Sequence, residues 1–325
     1  MSAPLISFVL PCYNYAQYLP DCLDSIFGQE GAWDFEIIAV DDASTDNTQE
    51  VLKSFADERL RVITHETNRG HAVTVNDGLR AARGQFIARI DPDDRYRRHF
   101  LKLTMEKFEQ YPEVGLVYGN AAMIDAQGNI NAERCDRAHG GKDFKGNELV
   151  RLLEWNFICA PTVIARREAW QQAGPVPEWL AFHDWFFTVM MARRWEFYYL
   201  DNVLADYRVH GANHHTMVTV KKIEEPSIFW VLEQVFSTPE QDAALETAKQ
   251  RARRRIYAAQ YLDMAEKYFG CNYNEDARRC YRRAFRHRPA FLWRGKAVLH
   301  WAATLVGRGF YEALKSGLKT ARLSD

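Results

Sequence analysis

The chain has 325 residues, with 42 Lys and Arg against 43 Asp and Glu for a formal net charge of −1, a balance that leaves no reason to expect a nucleic-acid partner. Its 47% hydrophobic residues can build a sizeable core in one large domain or two smaller ones, and its six cysteines form no Cys-x-x-Cys pair, so neither a zinc site nor a disulfide framework is indicated. Met1-Ser2-Ala3-Pro4 lacks the basic start of a signal peptide and no run reaches the roughly 18 apolar residues of a membrane span, so a cytoplasmic protein is expected.

Leu5-Ile6-Ser7-Phe8-Val9-Leu10 predicts a buried strand that stops at Pro11-Cys12-Tyr13-Asn14, and residues 16–29 read as a helix. Residues 35–40 predict a second strand running into Asp41-Asp42-Ala43-Ser44-Thr45-Asp46, whose last three residues are candidate caps for a helix over 47–56. A third short strand over 60–64 precedes Asn68-Arg69-Gly70 and a helix over 71–83. A fourth, over 85–90, ends at Asp91-Pro92-Asp93-Asp94. This alternation predicts a parallel, doubly wound sheet, in which ligands sit at the carboxyl ends of the strands. Each polar cluster falls at such an end.

Asp91, Asp93 and Asp94 place three carboxylates within four residues, and like charges at that range repel unless a cation or protons neutralise them. Hard carboxylate oxygens suit Mg²⁺ or Mn²⁺ shared with substrate phosphates. A solvated acidic turn is the alternative. No Gly-x-Gly-x-x-Gly follows the first strand, which argues against a dinucleotide-dependent dehydrogenase. The glycine- and lysine-rich phosphate loop of a nucleotidyltransferase is missing there too.

In order and spacing, Pro11-Cys12-Tyr13-Asn14, Asp41-Asp42-Ala43-Ser44-Thr45-Asp46, Asn68-Arg69-Gly70, Ala82-Arg83-Gly84 and Asp91-Pro92-Asp93-Asp94 resemble the signatures of family 2 glycosyltransferases. The resemblance continues through Asn156-Phe157-Ile158-Cys159-Ala160-Pro161-Thr162, Arg166-Arg167, Gly174, His183-Asp184-Trp185 and Asp206-Tyr207-Arg208-Val209-His210, and so covers about residues 4–215. It implies a GT-A fold, an α/β Rossmann-like architecture whose mostly parallel sheet is flanked by helices. It also implies an inverting, metal-dependent transfer from a nucleoside diphosphate sugar to a saccharide or lipid-linked acceptor.

Under that resemblance Asp91 serves the ribose and the metal, Asp93 holds the metal, and Asp94 supports them. Asp41 and Asp42 accept the N–H of the base, with uridine or thymidine favoured over guanosine, and Pro11, Tyr13 and Asn14 wall the base pocket. Arg69 pairs with the diphosphate and makes up for Val75, where the family commonly has an arginine. Asp184 is the general base that takes the acceptor hydroxyl's proton, with His183 in place of the usual glutamate. His210 ligates the metal or contacts the diphosphate, near His214 and His215. The residues by themselves leave other roles open: helix caps for Asp42, Ser44 and Asp184, a solvated Arg69, a structural His210.

Processive synthases of related type carry Gln-x-x-Arg-Trp. Here Arg194-Trp195 is present but Met191 stands for the glutamine, so single addition is expected, in lipopolysaccharide, capsule or exopolysaccharide assembly. The opposing reading is a non-catalytic nucleotide-binding adaptor that uses its tail for protein contacts. The expected domains are a catalytic domain over 1–215, with a nucleotide-sugar half (1–95) and an acceptor half (96–215), and a helical region over 216–325. A linker containing Pro226 leads into the latter. Ala258, Tyr261, Leu262, Ala265 and Tyr268, then Ala277, Tyr281, Ala284 and Phe285, read as one tetratricopeptide-like hairpin broken at Gly270. Residues 291–325 interleave tryptophan and leucine with basic residues. That pattern suits contact with the inner face of a membrane, a homo-oligomer interface or docking on the catalytic domain.

Overall fold

The four apolar runs become the parallel strands β1 (Ile6–Cys12), β2 (Phe35–Asp41), β3 (Leu60–Thr64) and β4 (Phe86–Arg89). β1 pairs with β2 on one side and β4 on the other, and β3 extends the sheet beyond β2, so the carboxyl ends of all four share one rim. In this computed structural model residues 4–135, 138–210, 222–306 and 311 are described. β1 and β2 are buried at every position, as strands covered on both faces must be.

The second half adds β5 (Arg95–Tyr96), β6 (Val114–Ile124), β7 (Ile130–Ala132), β8 (Phe144–Gly146), β9 (Ile164–Arg166) and β10 (Glu196–Arg208). Strand order is β3-β2-β1-β4-β9-β6-β10-β5, with β7 on β6 and β8 on β10. β9 runs antiparallel to both β4 and β6, so the sheet is mostly parallel but mixed. The helices interspersed with these strands along the chain are α1 (Leu19–Phe27), α2 (Thr48–Ser54), α3 (His71–Ala81), α4 (Phe100–Gln110), α5 (Leu149–Glu154), α6 (Arg167–Ala173) and α7 (His183–Ala192). α1 buries Leu19, Cys22, Leu23 and Ile26 in the core built around Phe8, Leu10 and Ile37.

The chain divides into two compact units, Met1–Leu149 with Phe157–Asn213, and Val150–Asn156 with His214–Asp325. In the second, α8 (Glu224–Ser237) precedes α9 (Ala243–Gly270), α10 (Asn274–His287) and α11 (Gly295–Val306). α9 and α10 pack against each other, with Ala258, Tyr261, Ala265 and Tyr268 of the one and Ala277, Tyr281, Ala284 and Phe285 of the other buried. Val150–Asn156 joins this unit through the Gln260 amide, which donates to the Leu153 carbonyl at 2.8 Å.

Pro226 sits in the first turn of α8, not in a linker. Its missing N–H costs nothing there, because first-turn amides have no intrahelical acceptor. Asn213, His214 and His215, and residues 307–310 and 312–325 of the basic tail, lie outside the described residues. Among the described residues no helix is long and apolar enough to cross a membrane.

Candidate active site

The loops after β1 and β2 are sewn together. Asn14, in the left-handed region (φ 59°), donates its backbone N–H to Ser44 Oγ at 3.0 Å, and its side-chain oxygen accepts from the Thr45 N–H at 2.8 Å. The Tyr15 N–H donates to Thr48 Oγ1 and the Ala16 N–H to Asp46 Oδ2, each at 3.0 Å. Ser44 and Thr45, expected to cap α2, therefore hold the neighbouring loop instead, while Asp46 accepts from the Thr48 N–H. Pro11 is buried within β1 and Tyr13 stands 43% exposed above it.

Asp41 and Asp42 are buried and already engaged. Asp41 accepts from the Ser44 N–H at 3.1 Å and the Gln49 side chain at 2.8 Å. Asp42 accepts from His65 Nδ1 at 2.7 Å and from the Arg69 and Gly70 amides at 2.8 Å each. Gly70 has φ 89°, a conformation that favours glycine, and this turn presents its amide to Asp42. Burial works to raise the Asp42 carboxyl, but the bonds from His65, Arg69 and Gly70 hold it below the usual carboxylate range. His65 also meets Asp77 Oδ2 at 3.1 Å, the oxygen to which the half-exposed Arg69 donates at the same distance.

The acidic cluster lies between β4 and β5. Arg208, on β10, is buried and fixes it: its amide donates to Asp94 Oδ1 at 2.8 Å and its Nε to the Asp93 carbonyl at 2.6 Å. The rest of its fork reaches the carbonyls of Asp125 and Ala126 and the Asp21 carboxylate. His210 turns Nε2 toward Asp93 Oδ2 at 3.0 Å, its ring 5.2 Å from that of Tyr18. Burial, then the Asp91 charge, raises the Asp93 carboxyl. Burial with both neighbouring acids raises Asp94 well above the ordinary range.

Beneath Asp91 lies Arg89, buried at the end of β4. Its guanidinium contacts Asp91 and stands 3.0 Å from His71 Nε2. Burial opposes its charge, but Asp91, then Asp184, more than restore it, so its pKa is raised. Asp184 is the second residue of α7, in the first turn, where the helix dipole favours a carboxylate. With Arg89 it lines a small cavity walled by Leu116, Val163, Trp170 and Phe187. His71 and His183 stack at 4.8 Å between centroids. Asp91, Arg89 and Asp184, 95 residues apart in sequence at the extremes, thus share one electrostatic neighbourhood.

Among the described residues no three His, Cys, Asp or Glu side chains converge into a cation cage. The chemistry of the acids nevertheless fits a shared ion. Carboxylates raised by burial and by one another's charge would be relieved by a cation, and Mg²⁺ and Mn²⁺ sites commonly use one or two carboxylates plus substrate phosphate. No role is assigned by the sequence to Arg89, or to Arg208 within its motif, although a charged residue inside an apolar strand run, as Arg89 is, was the available signal. His65 carried none, because its partners lie 23 and 12 residues away.

The Ala82-Arg83-Gly84 signature is structural. The Arg83 guanidinium pairs with Glu36 at 2.9 Å, and the Gly84 amide donates to Ser7 Oγ at 2.8 Å, where a Cβ on residue 84 would stand 2.6 Å from the Ser7 nitrogen. Asn76 locks α3 to the Val176 backbone through both ends of its amide.

The model for Glycosyl transferase family 2 matches residues 7–172, just over half of the chain. An uncharacterized glycosyltransferase of Nostoc sp. is 32% identical over 220 residues, covering 65% of this chain and 66% of that protein, just under two thirds of its length. A PGL/p-HBAD biosynthesis glycosyltransferase of Mycobacterium bovis is 30% identical over 230 residues, covering 67% and 82%. Among solved structures, S. aureus TarS 1-349 in complex with UDP-GlcNAc matches with TM-score 0.58 at 18% identity, covering 96% of this chain and 92% of that one. The mannosyltransferase PcManGT from Pyrobaculum calidifontis, in complex with GDP-Man and Mn2+, matches with TM-score 0.60 at 17% identity, covering 94% and 83%. The likeness to both solved structures lies in the fold. This chain has the GT-A fold and belongs to glycosyl transferase family 2.

Proposed function

We propose that this chain is an inverting, non-processive glycosyltransferase that moves a sugar from a nucleoside diphosphate sugar to a saccharide or lipid-linked acceptor in bacterial surface polysaccharide or glycolipid assembly. The observation that carries the reading is Arg89, which contacts Asp91 and lines one cavity with Asp184, so that a donor-side acid and a candidate base flank the same buried guanidinium. The biosynthetic name of the Mycobacterium bovis relative supports the setting, and the UDP-GlcNAc and GDP-Man in the two solved structures support the donor class.

Asp91 and Asp93, with His210 beside Asp93, would hold Mg²⁺ or Mn²⁺, and Asp91 would also meet the ribose. The ion would supply Lewis-acid neutralisation of the departing diphosphate. Pro11, Tyr13, Asn14, Asp41 and Asp42 frame the base side. Asp41 and Asp42 would accept a base N–H, which fits uracil or thymine. Arg69 would shift from Asp77 onto the diphosphate. Asp184 would take the proton of the acceptor hydroxyl as that oxygen attacks the anomeric carbon opposite the leaving group, inverting it. The buried Trp185, Phe186 and Phe187 keep bulk water from this part of α7.

The test is Asp184→Asn. Donor binding by calorimetry should survive while turnover, read as released nucleoside diphosphate in the presence of acceptor, falls by about two orders of magnitude or more. Unchanged turnover, or loss of donor binding, rejects the assignment.

A further inference from the structure

α11 reverses the usual pattern of a surface helix. Its inward stripe carries the polar residues: His300 and Thr304 are buried beside Ala297 and Ala303. His300 Nδ1 meets Glu266 Oε2 at 2.9 Å and Nε2 meets the Tyr311 hydroxyl at 3.0 Å, while the Arg278 guanidinium donates to the Thr304 carbonyl. The outward stripe is apolar. Leu299 and Leu305 are exposed, the latter by 55%, with Val298, Trp301 and Ala302 half-buried at i, i+3 and i+4 and the Trp301 ring set edge-on to Phe285. The turn just before the helix adds exposed Leu292 and a Trp293 that is 90% exposed.

Basic residues dominate this stretch of chain, with Glu266 of α9 set against Lys296 at 3.5 Å and against His300. From residue 277 to residue 311 the sequence contains no Asp or Glu, while Arg282, Arg286, Arg288, Arg294 and Lys296 are all exposed. We propose that the outer face of α11, with Leu292 and Trp293, is a docking surface for an anionic lipid bilayer. Leucine and tryptophan enter the acyl boundary and the arginines meet the headgroups. Charge complementarity selects the bilayer over a second copy of the chain, because a symmetric pair would bring the same basic belt against itself. The inference rests on this surface and does not need the transferase reading.

Sedimentation of the full chain with vesicles tests it. Vesicles containing phosphatidylglycerol should pellet the protein at low salt, pure phosphatidylcholine should not, and added salt should release it. Leu299→Glu with Leu305→Glu, and separately Arg286→Glu with Arg294→Glu, should each weaken binding by about tenfold or more, with the wild-type circular dichroism retained. The arginine pair lies at exposed positions and carries the test should the leucine pair fail to fold. Protein that stays in the supernatant at low salt overturns the proposal. So does equal binding to neutral vesicles, or a leucine variant that turns a dimer into a monomer while the wild type ignores vesicles.

Discussion

Asp42 and Asp93 stand at the carboxyl ends of strands in one sheet and both are buried, yet their surroundings push them in opposite directions. Asp42 is met by an imidazole and two backbone amides and is held ionised. Asp93 has Asp91 and Asp94 for neighbours and His210 against one oxygen, and burial, then the Asp91 charge, favours its proton. The difference separates a carboxylate used to build a loop from one kept short of positive charge. Burial is common to both and therefore cannot distinguish them; the donor count does.

The largest effect should come from Asp93→Ala. Transfer should fall by about two orders of magnitude or more, while the melting temperature without added metal should not drop, because a repelled charge has been removed. A large loss of stability in this variant would make Asp93 a structural residue like Asp42. Asp42→Ala should do the reverse to the fold, leaving two amides and His65 without their acceptor at a cost of about 3 kcal/mol in denaturant unfolding. An unchanged midpoint would remove the contrast.

Mn²⁺ at about 100 times its Kd should stabilise the wild type by about 2.7 kcal/mol in a thermal melt. Asp93→Ala should show no such gain, and UDP or dTDP with Mn²⁺ should add more than GDP does. A larger shift with GDP would reverse the base preference. The smallest effect concerns pH. Since the folded pKa of Asp42 is depressed, its stabilisation is present above the unfolded value of about 3.9 and is lost as pH falls through the folded pKa. The stability gap between wild type and Asp42→Asn should therefore narrow in acid, and a gap that widens there would show the sign to be wrong.

The strands and the acids were legible because both depend on local pattern: continuous apolar runs for buried strands, and polar clusters where those runs stop. What escaped depends on contacts distant in sequence. Arg208 bonds the Asp93 carbonyl across 115 residues and looks from its neighbours like any charged strand end. Ser44 and Thr45 have the composition of caps, but Asn14, about 30 residues earlier, takes their groups. Pro226 suggested a linker because a proline's position within a helix is invisible until the helix start is known. The antiparallel β9 between two parallel sets is three residues long, too short for any periodicity to register.

Arg208 has a consequence for any library of variants scored by activity. Lysine there would bring a point charge but not the planar fork that reaches Asp93, Asp125, Ala126 and Asp21 at once. Nearly every replacement should let the acidic loop drift, and a drift of about 1 Å suffices to cost a site most of its rate. In such a screen Arg208 would score like a residue that handles substrate, and only a folding readout taken beside the activity would tell the clamp from the chemistry.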